Sequence, residues 1–306
     1  MDIIKEAEKM AQKLTEAPSN LMTPQIFAKR CQELDLEVEV LPPLPAIEAV
    51  GRAGHPPALV VMHYKGGDGP PLVLIGKGVC FDAGGLNLKR AFLNQMNRDK
   101  AGAAAVFGVM QAVSKLKPKQ PIVGIVGLAE NLPGKEAIRP GDVITMFDGT
   151  TVEVKDPDCE GRLIIADCIS YAQKRFNPNR IIDLGTLTPE VFGALAGEYA
   201  GLFCNSPELE KELLASGPLW PLPLGENYRK QLISNVADLS NDGISGWGAP
   251  SVAAEFIHHF VAKGVEWAHI DIAGMAWDPF SPEKGATGFG VDLICKLIFT
   301  KGCNLM

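Results

Sequence analysis

The sequence predicts a single α/β domain, a mixed β-sheet flanked on both faces by helices. Three observations carry this expectation. Segments such as PIVGIVGLA (121–129) are apolar throughout, as strands covered on both faces are. Strand-like and helix-like patterns alternate along most of the chain. No internal repeat, low-complexity tract or linker divides the 306 residues, a length that gives one large domain ample core.

In chain order, Ile3, Ala7, Met10, Ala11 and Leu14 share one face of a first helix. Thr23-Pro24 starts a second, a cap followed by proline in the first turn, with Phe27, Cys31 and Leu34 inward. EVEVL (37–41) alternates like a half-exposed strand. ALVVMHY (58–64) and PLVLIG (71–76) are the next strands, and a helix follows from Asp99 to about Leu116 before PIVGIVGLA. DVITMF (142–147) and TTVEV (150–154) form a hairpin turning at Asp148-Gly149. A helix from Gly161, the strand RIIDLGT (180–186) and helices near 190, 208 and 252 come next. The strand WAHIDIAG (267–274) and a closing helix from about Gly290 finish the domain, expected to span 1–306.

Composition narrows the function classes. Hydrophobic residues at 46% and charged ones at 21% indicate a globular rather than a disordered chain. A formal charge of -7 argues against nucleic-acid binding driven by overall charge. No run approaches the ~20 apolar residues that span a bilayer, so no membrane partner is expected. The opening MDIIKEAEKMAQKL is mixed in charge, unlike a signal peptide. The seven cysteines are odd in number, scattered and without a CxxC pair, which suits reduced core thiols in a cytoplasmic protein.

Polar residues break the apolar pattern in three places. In GKGVCFDAGGLNLK (76–89), Lys77 leaves a strand end, where α/β sheets bind ligands, and Asp82 precedes a double glycine that allows close backbone approach. A surface lysine is the plain alternative, and the spacing of a phosphate-binding Walker loop is missing. In MNRDKAGAAAVFGVM (96–110), Asp99 opens an alanine-rich helix, where an ordinary cap is the alternative. In EVKDPDCEGRLIIADCI (153–169), a strand extended to its end would project Asp158 and Glu160 to one side. Arg162 then falls at the wrong end of a helix for a cation, unless it helps the free amides hold an anion. The alternative is a simple pair with Asp158 or Glu160. Together Asp82, Asp99, Asp158 and Glu160 would balance two divalent cations of the kind that activate a hydrolytic water. The histidines form no HExxH and are expected in core or surface roles.

These segments resemble the catalytic domain of the leucine aminopeptidases, the cytosol-aminopeptidase family of dinuclear zinc or manganese exopeptidases. The resemblance runs from NLMTP (20–24) to KGATGFGV (284–291), with GKGVCFDAGGLNLK and DPDCEGRL its most specific segments and WAHIDIAGMAW and ADLSN in support. It implies that Lys77, Asp82, Asp99, Asp158 and Glu160 ligate the metals, Asp82 and Glu160 bridging. It implies that Lys89 and Arg162 are catalytic, Lys89 toward the oxyanion and Arg162 through a bound bicarbonate acting as base. Lys77 would ligate as a neutral amine. Met96 and the TLT segment, Thr186, Leu187 and Thr188, would contact the peptide substrate. A homo-oligomer, a hexamer in the family, is implied as well. The family's usual amino-terminal domain has no counterpart in these residues.

Four departures stand near the site. Asp156-Pro157 replaces Asn-Thr, and Cys159 replaces alanine. Lys100 follows Asp99 where the family favours methionine, which would place its charge close to the acids. Pro189 follows TLT in place of glycine. The expected activity is removal of amino-terminal residues, leucine-like ones above all, by a metal-activated water. The other readings are a weakened relative serving as a scaffold or binding protein, and a two-metal phosphoesterase.

Overall fold

A computed structural model describes residues 3–300; the first two and last six residues of the expected domain lie outside the described range. The strands are β1 (Glu37–Leu41), β2 (Ala58–Lys65), β3 (Leu72–Asp82), β4 (Pro121–Asn131), β5 (Asp142–Thr145), β6 (Thr151–Val154), β7 (Arg180–Gly185), β8 (Ala200–Cys204), β9 (Leu219–Pro221), β10 (Leu239–Ser240) and β11 (Glu266–Asp271). The helices are α1 (Ile3–Glu16), α2 (Pro24–Gln32), α3 (Pro45–Gly51), α4 (Ala101–Leu116), α5 (Gly161–Phe176), α6 (Pro189–Leu195), α7 (Pro207–Leu214), α8 (Glu226–Arg229), α9 (Ala249–His259) and α10 (Val291–Thr300).

Eight strands form one mixed sheet in the order β1-β2-β4-β3-β7-β11-β8-β9. Its centre, β4-β3-β7-β11, is parallel, and antiparallel pairs flank it on both sides. Alternate residues feed two cores. Leu72 and Leu74 of β3 face one with α1, α2, α4 and α10, while Val73 and Ile75 face the other with α3, α5 and α9. Ile122 and Val123 of β4 divide in the same way, which is why these strands carry no polar alternation.

Several expectations are corrected. β3 does not end at Gly76 but runs to Asp82, with a register shift between Val79 and Phe81. The predicted hairpin is real, with Gly149 at a φ of 98°, but its strands are four residues each. With β10 they make a separate three-stranded sheet. The helix after Asp99 begins at Ala101. Among the described residues, Cys31, Cys80, Cys159, Cys168 and Cys204 are free thiols, and Cys31, Cys80, Cys168 and Cys295 are fully buried.

Helix α4 lies close against the middle of β3 and the end of β7. A Cβ on Gly76 would stand 2.6 Å from the Ala103 Cα, and one on Gly102 only 2.2 Å from the Leu184 carbonyl oxygen. This close approach sets the start of α4, and with it Asp99, against the ends of β3 and β7.

Candidate metal and catalytic site

The register of β3 explains where Lys77 sits. Pairing with β7 stops at Gly76, so Lys77 lies in the notch where β7 ends, still paired with β4 on its other side. Its side chain is buried, which removes the surface-lysine alternative. The stem packs on Gly161, where a Cβ would meet the Lys77 Cε at 2.7 Å; the glycine of CEGR is required by that contact. The ammonium reaches Asp99 Oδ2 at 2.9 Å and Glu160 Oε1 at 2.8 Å, and donates to the Thr186 carbonyl at 3.0 Å.

Asp82 ends β3. Its Oδ1 accepts from the Gly84 amide and from Asn131 Nδ2, both at 2.9 Å, and its Oδ2 meets Lys89 Nζ at 2.7 Å. Gly84, at a φ of 83°, lets the chain double back: a Cβ there would meet the Asn87 carbonyl oxygen at 2.3 Å and Asp158 Oδ1 at 2.8 Å. Lys89 returns to the site and bridges Asp82 to Asp158 Oδ1 at 2.6 Å.

Asp158 and Glu160 converge, but not along an extended strand. β6 stops at Val154, and the chain turns through Asp156, whose carbonyl accepts from the Cys159 amide and whose Oδ1 accepts from the Asp158 amide. Glu160 then stands at the entrance to α5 in helical conformation. One oxygen each of Asp82, Asp158 and Glu160 lies within 4.8 Å of the others. Asn241 holds this turn, accepting from the Lys155 and Asp156 amides and donating to the Asp156 and Cys159 carbonyls.

Asp99 makes no helix cap. It accepts from Thr186 Oγ1 at 2.5 Å and pairs with Lys77. Thr188 and Leu187 are held from behind: Asp271 at the end of β11 accepts from both amides and from Thr188 Oγ1. Met96 is half-buried on the short helix Leu93–Arg98 that leads into Asp99. Arg162 is buried and donates through Nη1 to the Asn241 carbonyl at 2.8 Å. Its nearest recorded carboxylate is Asp242, at 3.9 Å, rather than Asp158 or Glu160. Its Nε is buried without a partner.

The electrostatics match this crowding. Burial, then the neighbouring Asp82 and Glu160, outweigh Lys77 and push the Asp99 carboxyl up to about 8. Burial, Asp82 and Glu160 push Asp158 up to about 7 despite Lys89. Burial and Asp82 raise Glu160 as well. Burial works against the Lys77 ammonium, but Asp99, Glu160 and Asp82 outweigh it and raise its pKa; Asp82, Glu160 and Asp158 do the same for Lys89. Glu160 Oε2 is buried with no partner, a costly state that a bound cation relieves. The donor set, carboxylate oxygens plus one amine, fits a divalent cation.

Two of the sequence departures lie differently than expected. Lys100 is fully buried and its ammonium donates to the Ala17 and Asn97 carbonyls rather than to a carboxylate; burial brings it down to about 8, with Cys80, Glu16 and Asp99 pulling the other way. The Asp156 carboxylate is engaged by the Asp158 amide and Asn87 Nδ2, at 2.8 Å each. Asn131, Asn241 and Asp271 organise the site without a sequence signal of their own beyond the supporting resemblance of ADLSN and WAHIDIAG, the segments carrying two of them.

Residues 9–295 match the sequence profile of the cytosol aminopeptidase family, catalytic domain. A probable cytosol aminopeptidase of Rickettsia bellii (strain RML369-C) is 41% identical over 321 residues, covering 97% of this chain and 64% of that protein. One of Gluconobacter oxydans (strain 621H) is 41% identical over 316 residues, covering 96% and 64%. The chain thus spans 64% of the length of these relatives. Among solved structures, the bottromycin maturation enzyme BotP superposes with a TM-score of 0.91 at 35% identity, covering 98% of this chain and 70% of that one. The profile match across nearly the whole chain, with these similarities behind it, makes the chain a member of the cytosol aminopeptidase family, corresponding to its catalytic domain.

Proposed function

We propose that this chain is the catalytic part of a metallo-aminopeptidase that removes amino-terminal residues, leucine-like ones among them, from peptides. The observation that carries the reading is the meeting of four acids from three segments around Lys77 and Lys89 at the carboxyl end of β3. Lys77, Asp82, Asp99, Asp158 and Glu160 would hold two divalent cations, zinc or manganese by family resemblance, and these would supply a water acidified enough to attack near neutral pH and a place for the free α-amine.

The chain's own groups do the rest. Lys77, paired here with Asp99 and Glu160, would have to lose its proton to ligate, and a cation would then offset those two acids in its place. Lys89 stays charged and stabilises the oxyanion that forms at the scissile carbonyl. The unpartnered Arg162 Nε is a seat for bicarbonate, the family's general base. Asp271 fixes Leu187 and Thr188, and Thr186 ties that same segment to Asp99, so the wall beside the first side chain is rigid with respect to the acids. The Lys100 ammonium is held by two backbone carbonyls and the Asp156 carboxylate by the Asn87 side chain and the Asp158 amide, so neither favours a weakened scaffold. A homo-oligomer, a hexamer by family resemblance, in a cytoplasmic setting completes this reading, and Ile233, Val236, Ile244 and Trp247 are exposed apolar side chains that assembly would cover.

The test is release of leucine from a leucyl anilide or dipeptide after addition of manganese or zinc. Turnover is expected; none with metal demonstrably bound overturns the reading. Asp82→Ala loses both metal and activity. Lys89→Ala loses rate while keeping metal, and a loss of metal there removes the assigned role.

A further inference from the structure

Three side chains on either side of Asp99 grip the carboxyl end of α1. Asn97 Nδ2 donates to the Glu16 carbonyl at 3.2 Å. Arg98 clasps the Glu16 carboxylate through Nε at 2.9 Å and Nη2 at 3.0 Å, and its Nη2 also donates to the Pro282 carbonyl at 2.9 Å. Lys100 Nζ donates to the Ala17 carbonyl at 2.9 Å and to the Asn97 carbonyl. Glu16 and Ala17 close α1, where helix carbonyls lack partners and Pro18 brings no amide to meet one. Cations suit that end of a helix. The anchor is firm. Ala7, Ala11 and Leu14 of α1 share a core with α4, and a Cβ on Gly108 of α4 would stand 3.0 Å from the Ala7 carbonyl oxygen.

Lys100 is the member of this group that needs a reason. It is fully buried, with backbone carbonyls as its acceptors, a costly way to fill a place where the family favours methionine. The residue before it supplies the reason. The Asp99 carboxylate is held by Thr186 Oγ1 and by Lys77 Nζ, at 2.5 and 2.9 Å. On ligating, Lys77 would lose its hold as an ammonium, and the aim of Asp99 would then depend on the backbone that carries it. We propose that Lys100, together with Arg98, is a positioning residue: by capping α1 it pins the backbone on both sides of Asp99, and so sets how tightly the cation that Asp99 serves is held. This rests on the metal-site reading. Asp82 and Glu160 are the bridging acids there, so Asp99 serves one cation of the two.

The test is a calorimetric titration of manganese into the metal-free protein, wild type against Lys100→Met. Methionine keeps the apolar stem and removes the donors. Two binding steps are expected in the wild type. In Lys100→Met one step should weaken about tenfold, the size of effect that groups behind a metal ligand exert, while the other keeps its affinity. Arg98→Met should weaken the same step, and takes the place of Lys100→Met if that variant does not fold. Lys115→Met removes an ion pair between the same two helices, 3.2 Å from Glu6, and should shift neither step. Unchanged steps in a folded Lys100→Met variant overturn the proposal. So does equal weakening of both steps, the mark of a lysine that only stabilises the fold. If two cations bind but leucyl anilide is not turned over, the aminopeptidase reading fails while the two steps still decide the role of Lys100. If the wild type binds neither manganese nor zinc, the metal-site reading fails, and amide hydrogen exchange decides the pin. Faster exchange confined to residues 96–104 in Lys100→Met supports it, and unchanged exchange overturns it.

Discussion

Asp167, inside α5, shows how this protein tolerates a buried carboxylate without a cation. Its Oδ2 accepts from the Ala46 amide at 2.7 Å and its Oδ1 from the Phe147 amide at 2.8 Å, so one side chain ties α3 and the hairpin to α5. Burial still pushes the carboxyl up to about 6, those two amides pulling the other way. An unfolded aspartate titrates near 3.9. The folded form therefore holds its proton more tightly, and the stability this group contributes is full below about pH 4 and falls away as pH rises to about 6. Asn at this position offers one acceptor and turns an amide against the other N–H. Asp167→Asn is thus expected to destabilise by about 1–3 kcal/mol near pH 4.5, and the deficit should shrink by pH 7. Urea unfolding of both proteins at the two pH values checks this; a deficit that grows with pH would contradict it. The acids of the site lack this solution, since Glu160 Oε2 finds no donor at all.

Helix α4 positions the site through its first turn. The Gly102 Cα faces the backbone of β7, where a Cβ would meet the Leu184 carbonyl oxygen at 2.2 Å and its carbon at 2.9 Å. Neither atom can swing aside as a side chain would. Gly102→Ala therefore lifts α4 from the sheet, at an overpacking cost of about 1–3 kcal/mol against a helix-propensity gain of about 1 kcal/mol. A lower melting temperature and weaker metal binding are expected together, because Asp99 sits one turn upstream; a stabilised variant would refute the packing argument. The same stretch shows what the sequence disclosed. Apolar runs located the central strands, but β3 was cut short at Gly76 because Lys77 and Asp82, polar residues serving the site, interrupt the strand pattern from inside. β8, β9 and β10 are two to five residues long and owe their pairing to neighbours the fold supplies. The acids and lysines were legible because their residue types clash with apolar surroundings. Asn131, Asn241 and Asp271 were not, since a loop asparagine or strand-end aspartate looks ordinary until its partners arrive.

At the scale of the whole molecule, the site is a joint between the sheet's carboxyl edge and the small three-stranded sheet. Asp82 and Lys77 belong to β3, Asp99 to the approach to α4, and Asp158 and Glu160 to the turn after β6. Asn131, at the end of β4, crosses that joint by donating to both Asp82 Oδ1 and the Pro157 carbonyl. A cation taken up here binds groups that come together only in the folded chain, so its binding free energy adds to folding stability. At a hundredfold excess over Kd the gain is about 2.7 kcal/mol. Manganese or zinc is expected to raise the melting temperature, and a chelator to reverse the rise. The acids also repel one another less when protonated, so less cation should be bound at pH 6 than at pH 8, given carboxyls pushed up to about 8 at Asp99 and about 7 at Asp158. Asp82→Asn should abolish the metal-dependent increment while leaving the metal-free melting temperature near or above that of wild type, because it removes one charge from a crowded cluster. A full increment in that variant would place the cation elsewhere and dissolve the argument that the two sheets are joined through it.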